Sequence, residues 1–350
     1  MRLRAILLTF ALLAGSAPAF AVDLTGTKCK KTGQTKMILD AEYKCVKQGK
    51  KKTWRQLIVP TQMAYANLSK AESEVFTLLD SQVAQIKSQI SKIPAPKIEV
   101  ISDKPDHPRI PPNVLAAQVS TQFLNSYENL MPVFKIYAWD NVEWFKAKIS
   151  PVCSILAQNT TKDSGAGIGC YKEFHTNLNG WNNVRAPLHG SWFESAHESF
   201  HIAQNYWSYV GDKSLFYDNT PAWYREGSAS TFGGLVASYL SNGERNFGST
   251  VAFEGSSYKY SECKAAWDVW IVSNKAEGFG VFNGCEYGLG RRMTDLLVAK
   301  HGGIPAMLNF FSELGKGSNF ETAFEKAHGL TLKAFFTEAE AYMDAIGWKK

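Results

Sequence analysis

Two histidines four residues apart, with a glutamate directly after the first, constrain this chain more than any other feature: His197-Glu198-Ser199-Phe200-His201. On a helix, residues four apart lie one turn above each other on the same face. Both imidazoles can then address one ion, with Glu198 beside them. The pattern therefore demands a helix here and a second element to bring a third ligand. Glu226, 25 residues after His201 in Pro221-Ala222-Trp223-Tyr224-Arg225-Glu226-Gly227, is the natural candidate. A hydrolytic Zn2+ takes three protein ligands and keeps one position open for water. Two plainer readings compete: a polar helix face with surface histidines, and a zinc fold that has lost catalysis. The downstream W-x-x-E-G on its own helix weighs against coincidence.

Local signals place both ligand segments on helices. Ser191 and Glu194 form an S-x-x-E capping box that opens a helix through His197 and His201. Thr220-Pro221 reads as N-cap and first helical residue of the Glu226 helix. Gly233-Gly234 inside that helix costs propensity and predicts close packing on a neighbour. Asn242-Gly243 marks its end.

His197-Glu198-x-x-His201 with Trp223-x-x-Glu226-Gly227-x-Ala229 resembles the gluzincin metallopeptidases, and H-E-S-F-H-x-x-Q, with Phe200 and Gln204, resembles their smaller bacterial domains. The likeness runs from about Pro132 to the C-terminus and is strong only around the two metal helices. It implies an α+β, gluzincin-like catalytic domain with a small upper sheet-and-helix lobe and a helical lower lobe. It implies Zn2+ on His197, His201 and Glu226, Glu198 as general base, and a peptide or protein substrate. An aminopeptidase-type tyrosine some sixty residues after the ligand Glu nominates Tyr287, with Tyr258 and Tyr260 as rivals. Asn183 to Leu188 is expected as the edge strand for an extended substrate. No G-x-M-x-N element for gripping a free amine is found, so an endopeptidase is preferred. One position departs from the thermolysin pattern. Ser230 stands where an Asp often orients a zinc histidine, so another group is expected to hold that ring. His189 and His301 read as surface or internally satisfied. The competing function is a non-catalytic, zinc-fold protein that binds a cell-envelope or peptide ligand.

The N-terminus reads as a cleaved export signal over residues 1–21. Arg2 and Arg4 precede the short apolar run Ala5 to Leu13, and Ala19-Phe20-Ala21 fits a small-x-small cleavage site. No run is long enough for a membrane anchor, so a secreted or cell-envelope protein is expected. The charge balance, 38 basic against 32 acidic side chains, is no nucleic-acid signature. Six cysteines in an exported chain favour disulfides, and six allow 15 pairings. Sequential pairing is the simplest: Cys29–Cys45, Cys153–Cys170 and Cys263–Cys285.

Residues 22–57 read as a small Cys-paired β module. It resembles modules of exported actinobacterial proteins with a G-x-x-C…Y-x-C-x-K-x-G-K-K-K-x-W pattern. Its lysines are either a solvated face, the preferred reading, or a contact for an anionic cell-envelope polymer. Residues 61–93 carry Leu68, Ala71, Val75, Leu79, Val83, Ile86 and Ile90 at helical spacing, which predicts an amphipathic helix that packs on a neighbour or serves as a spacer. Residues 94–115, with Pro94, Pro96, Pro105, Pro108, Pro111 and Pro112, read as a linker. The metallopeptidase-like domain is expected from 116 to 350. Within it, Val133 to Ala138 alternates like a strand, and Asp140 with Glu143 predicts a helix to Ile149.

Overall fold

A computed structural model describes residues 28–38, 41–49, 51–56, 69–106, 110–127, 133–161, 167–169, 176–180, 188–210, 213–214, 220–242, 247–248, 260–272 and 284–348. The signal segment 1–21, Tyr258, Cys170 and residues 183–187 of the expected edge strand lie outside them. The chain divides into two units, Met1–Ile58 and Val59–Lys350.

The first unit is an antiparallel sheet of β1 (Thr35–Ile38), β2 (Ala41–Gln48) and β3 (Lys51–Gln56) in that order. Cys29 and Cys45 form a disulfide with Cα atoms 5.8 Å apart. Cys45 faces Trp54 across the ladder, and both are buried. This part of the chain is therefore a disulfide-bonded, three-stranded β-sheet.

The second unit begins with α1 (Lys70–Ile90), whose Ser69 hydroxyl accepts from the Glu72 N–H as N-cap. Its Val75, Phe76, Leu79, Ile86 and Ile90 join the main hydrophobic core, so this helix packs on its neighbours and is no spacer. The expected linker carries structure. β4 (Lys97–Ser102) pairs in parallel with β5 (Val133–Trp139), and α2 (Ile110–Leu124) crosses between them. Pro111 and Pro112 fall in the first turn of α2, where the missing N–H groups have no helical partner to lose.

Further along are α3 (Val142–Ile149), α4 (Ser154–Asn159), β6 (Gly167–Gly169) and β7 (Thr176–Gly180). Asn141, rather than Asp140, caps α3 by accepting from the Glu143 and Trp144 N–H groups. Asp140 instead pairs with Lys104 at 2.9 Å. The sheet order is β4-β5-β7-β6, parallel except for β6. Along β5, Ile136 joins the main core and Ala138 meets Ile110 of α2. Tyr137 and Trp139 pack with Phe145 and Ile149 of α3. The strand is thus covered on both faces, as parallel pairing requires.

Helices dominate the remainder. They are α5 (Leu188–Trp207), α6 (Ala222–Leu240), α7 (Tyr260–Trp267) continuing into a π-helical turn at Asp268–Val272, and α8 (Cys285–Lys300). Then come α9 (Gly303–Gly315), α10 (Phe320–His328) and α11 (Leu332–Ala345). The two-residue strands β8 (Tyr209–Val210) and β9 (Lys213–Ser214) pair after α5. Cys263 and Cys285 form a disulfide, Cα atoms 5.6 Å apart, that ties α7 to the first residue of α8. The two described disulfides suit an oxidising compartment. Among the described residues no helix is long and apolar enough to cross a membrane.

Helix α6 is buried almost all round, and its small residues let neighbouring backbones approach. A Cβ on Gly227 would overlap the Gly290 carbonyl of α8, and one on Gly290 would sit 2.5 Å from the Trp223 carbonyl oxygen. A Cβ on Gly233 would meet the Phe193 carbonyl oxygen of α5 at 2.9 Å. The predicted close packing at Gly233 is therefore contact with the helix that carries the histidine pair.

Candidate metal centre

Helix α5 opens at Leu188, three residues before the expected cap, so Ser191 is interior and one turn of helix precedes it. Helix α6 has Pro221 as N-cap and Ala222 as its first residue, one position beyond the expected start. Neither shift moves the ligands, because facing depends on the four-residue spacing and not on where a helix starts.

His197, His201 and Glu226 converge in one buried cluster. His197 Nε2 lies 3.0 Å from His201 Nε2, His201 Nε2 lies 3.1 Å from Glu226 Oε2, and His197 Nε2 lies 3.4 Å from the same oxygen. A tetrahedral ion bound to N and O donors at 2.0–2.1 Å spaces its ligand atoms by roughly 3.3 Å. The triangle has nearly that edge. It consists of two imidazole nitrogens and a carboxylate oxygen, a donor set that fits a divalent metal ion.

Each atom of the triangle is held from behind. Gln204 Oε1 accepts from His201 Nδ1 at 2.6 Å, and its amide nitrogen donates to the Arg225 carbonyl at 3.0 Å and to Ser228 Oγ at 2.8 Å. Arg225 Nε donates to Glu226 Oε1 at 3.1 Å. A ring of contacts therefore closes from His201 through Gln204, Arg225 and Glu226 back to His201. Ser230 Oγ lies 3.3 Å from His197 Nδ1. The departure at Ser230 resolves itself, because the serine supplies the hydrogen-bond partner expected from elsewhere. With both Nδ1 atoms engaged as donors, both Nε2 lone pairs face the triangle. Gln204, Arg225 and Ser230 were missed as positioning residues in the sequence. Spacing was the available signal: Ser230 is one turn beyond Glu226, and Gln204 is one turn beyond His201.

Burial and the three donors shape the charges. Burial works to raise the Glu226 carboxyl, but the facing imidazoles of His201 and His197 hold it well below the usual range. Burial and the neighbouring His201 lower His197 against the pull of Glu226. Burial opposes His201 as well, yet Glu226, Glu198 and the Gln204 contact raise it. Glu198, next to His197 and itself buried, is pushed up to about 7 by burial, with Glu226 and Glu194 adding to the shift and His201 opposing it.

Tyr287 sits in the first turn of α8, two residues past Cys285. Its ring centroid is 6.0 Å from that of His197. It is 44% exposed, so it borders the site from the solvent side. Burial of its phenol and the carboxylates of Glu226 and Glu198 raise its pKa, which keeps it a proton donor near neutrality. Of its rivals, Tyr258 lies outside the described residues and Tyr260 opens α7. His301 is a satisfied histidine, 2.7 Å from Glu338 Oε2.

No family model matches the chain, and neither a curated protein nor a solved structure does. The functional argument therefore rests on the residues themselves.

Proposed function

We propose that this protein is a zinc-dependent peptidase, with an internal peptide bond as its preferred target. The observation that carries this reading is the buried triangle of His197, His201 and Glu226 with the Glu198 carboxyl beside it. His197, His201 and Glu226 would hold the ion, and zinc bound by such a set polarises a carbonyl and acidifies water toward neutrality.

The chain's own groups divide the remaining work. Glu198 takes a proton from the attacking water and delivers it to the leaving amine, a transfer for which it must stay within hydrogen-bond reach of both. Burial strengthens each of these contacts by excluding bulk water. Tyr287, open to solvent on one side and facing His197 on the other, donates a hydrogen bond from its phenol to the oxyanion that develops on the carbonyl. Gln204 and Ser230 fix the two imidazoles, and Arg225 fixes the carboxylate, so the ligands are set before substrate arrives.

A binding protein that merely retains an ion would have no use for a buried carboxyl at Glu198. That group favours the enzyme over the non-catalytic alternative. The test is metal removal from the purified mature protein, assayed on a peptide library. The expected outcome is cleavage that disappears with a chelator and returns with about one equivalent of zinc. Cleavage that persists in chelator, with the metal shown to be gone, would overturn the proposal.

A further inference from the structure

The N-terminal unit concentrates positive charge to a degree that the rest of the chain does not share. Residues 22–57 hold ten Lys and Arg against three Asp and Glu, a net charge of +7. From residue 58 onward there are 26 basic and 29 acidic side chains, a net charge of −3. The small excess over the whole chain therefore hides one basic unit attached to a mildly acidic one.

The ladder register deepens the asymmetry. Lys47 stands directly opposite Lys52, and Lys44 directly opposite Arg55. Like charges at directly opposed positions destabilise a sheet. Lys28, Lys30, Lys31, Lys44, Lys47, Lys51 and Lys52 are all exposed. Among the described residues, no carboxylate pairs with Lys44, Lys47 or Lys51. Lys52 places one donor on the Lys30 carbonyl at 3.3 Å. A three-stranded sheet this small tolerates the repulsion because a disulfide closes it.

We propose that this unit docks the protein onto a phosphodiester polymer that carries no bases, such as a poly(glycerol phosphate). Three observations select this partner. Cations stand on both faces of the sheet, Lys44 and Lys51 on one and the opposed Lys47–Lys52 pair on the other, and their mutual repulsion is relieved when the phosphates of a flexible polymer gather around them. Nine of the ten cations are lysines, point charges suited to a flexible phosphate chain, whereas arginine forks favour planar, bidentate carboxylate pairing. Trp54 is buried against Cys45 and so is no platform for stacking a base. The result is a tether to an anionic surface, carried by the first unit.

The experiment uses full mature protein, immobilised poly(glycerol phosphate) and a salt series. Wild type should bind at low salt, with log affinity falling linearly in log salt. In the Lys44→Gln/Lys47→Gln/Lys51→Gln/Lys52→Gln variant, affinity should drop at least about tenfold and the salt slope should flatten by about three. Peptide cleavage and the Cys29–Cys45 disulfide should be unchanged. The matching four-fold Lys→Arg variant should restore most of the binding, which a folding defect in the glutamine variant would not mimic. The proposal fails if the glutamine variant, its disulfide intact, binds like wild type, or if wild-type binding ignores salt. It fails also if single-stranded DNA competes better than the polymer at equal phosphate concentration.

Discussion

A metal-binding imidazole needs its second nitrogen held, and here both holders are neutral: Gln204 for His201 and Ser230 for His197. Gln204 is the more consequential of the two. Its amide joins His201 on α5 to the Arg225 carbonyl and the Ser228 hydroxyl on α6. Gln204→Ala releases the His201 ring and removes the amide that bridges it to the Arg225 carbonyl and the Ser228 hydroxyl on α6. Metal affinity should fall 10- to 100-fold, as measured by competition with a chromophoric chelator. An affinity equal to wild type would mean the ring needs no such support. At this scale the ligands were legible because chemistry fixes both their types and their spacing. The residues behind them were not, because any small hydrogen-bonding side chain can serve. Ser230 looks like a gap when a carboxylate is sought, and becomes a partner only when its distance to His197 is known.

Between elements, the site depends on how closely α6 approaches its neighbours. Gly227 follows the candidate ligand Glu226 and lies against the Gly290 backbone of α8. Alanine in a helix interior ordinarily gains up to about 1 kcal/mol over glycine. Here the added methyl would overlap a backbone carbonyl that cannot rotate away. Gly227→Ala should therefore destabilise the protein by about 1–3 kcal/mol, read as a lower denaturation midpoint. It should also weaken metal binding by shifting Glu226. A midpoint raised by the substitution would show that the helices are not in contact there. The glycines signalled close packing in the sequence, but not which helix each one meets. Helix ends in the C-terminal half are set locally: Gly329 takes a left-handed φ of 73° and Thr331 caps α11. β4 was hidden among prolines because its partner, β5, is more than thirty residues away. Its exposure pattern also lacks the alternation of a half-buried strand.

Across the whole molecule, titration of buried groups sets the response to acid. His328 accepts from the Tyr224 hydroxyl through Nε2 at 2.8 Å and donates from Nδ1 to the His301 carbonyl at 3.0 Å, an arrangement that requires the neutral ring. Burial lowers its pKa to about 4. Unfolded, the ring titrates near 6.5, so the unfolded state binds the extra proton between these values. The stability contribution is complete above about 6.5, and about 3 kcal/mol is lost as pH falls to about 4. Asp295 acts in the opposite sense. Burial, opposed by Arg291, raises its carboxyl to about 6, so the folded state gains stability as pH falls from there toward the ordinary carboxylate range. The two effects partly cancel in wild type. His328→Gln should remove only the first, so its stability should fall less than that of wild type between pH 7 and pH 4.5. Denaturant unfolding at both pH values checks this, and identical losses would contradict it.

The central claim, that this chain hydrolyses peptides through a metal site whose general base is Glu198, meets its most direct test in Glu198→Gln. Metal content and cleavage rate should be measured on one preparation. The substitution removes a proton acceptor and leaves His197, His201 and Glu226 in place. The account predicts one metal ion per chain, as in wild type, with turnover reduced about 100-fold or more. Full metal content with wild-type turnover would contradict it.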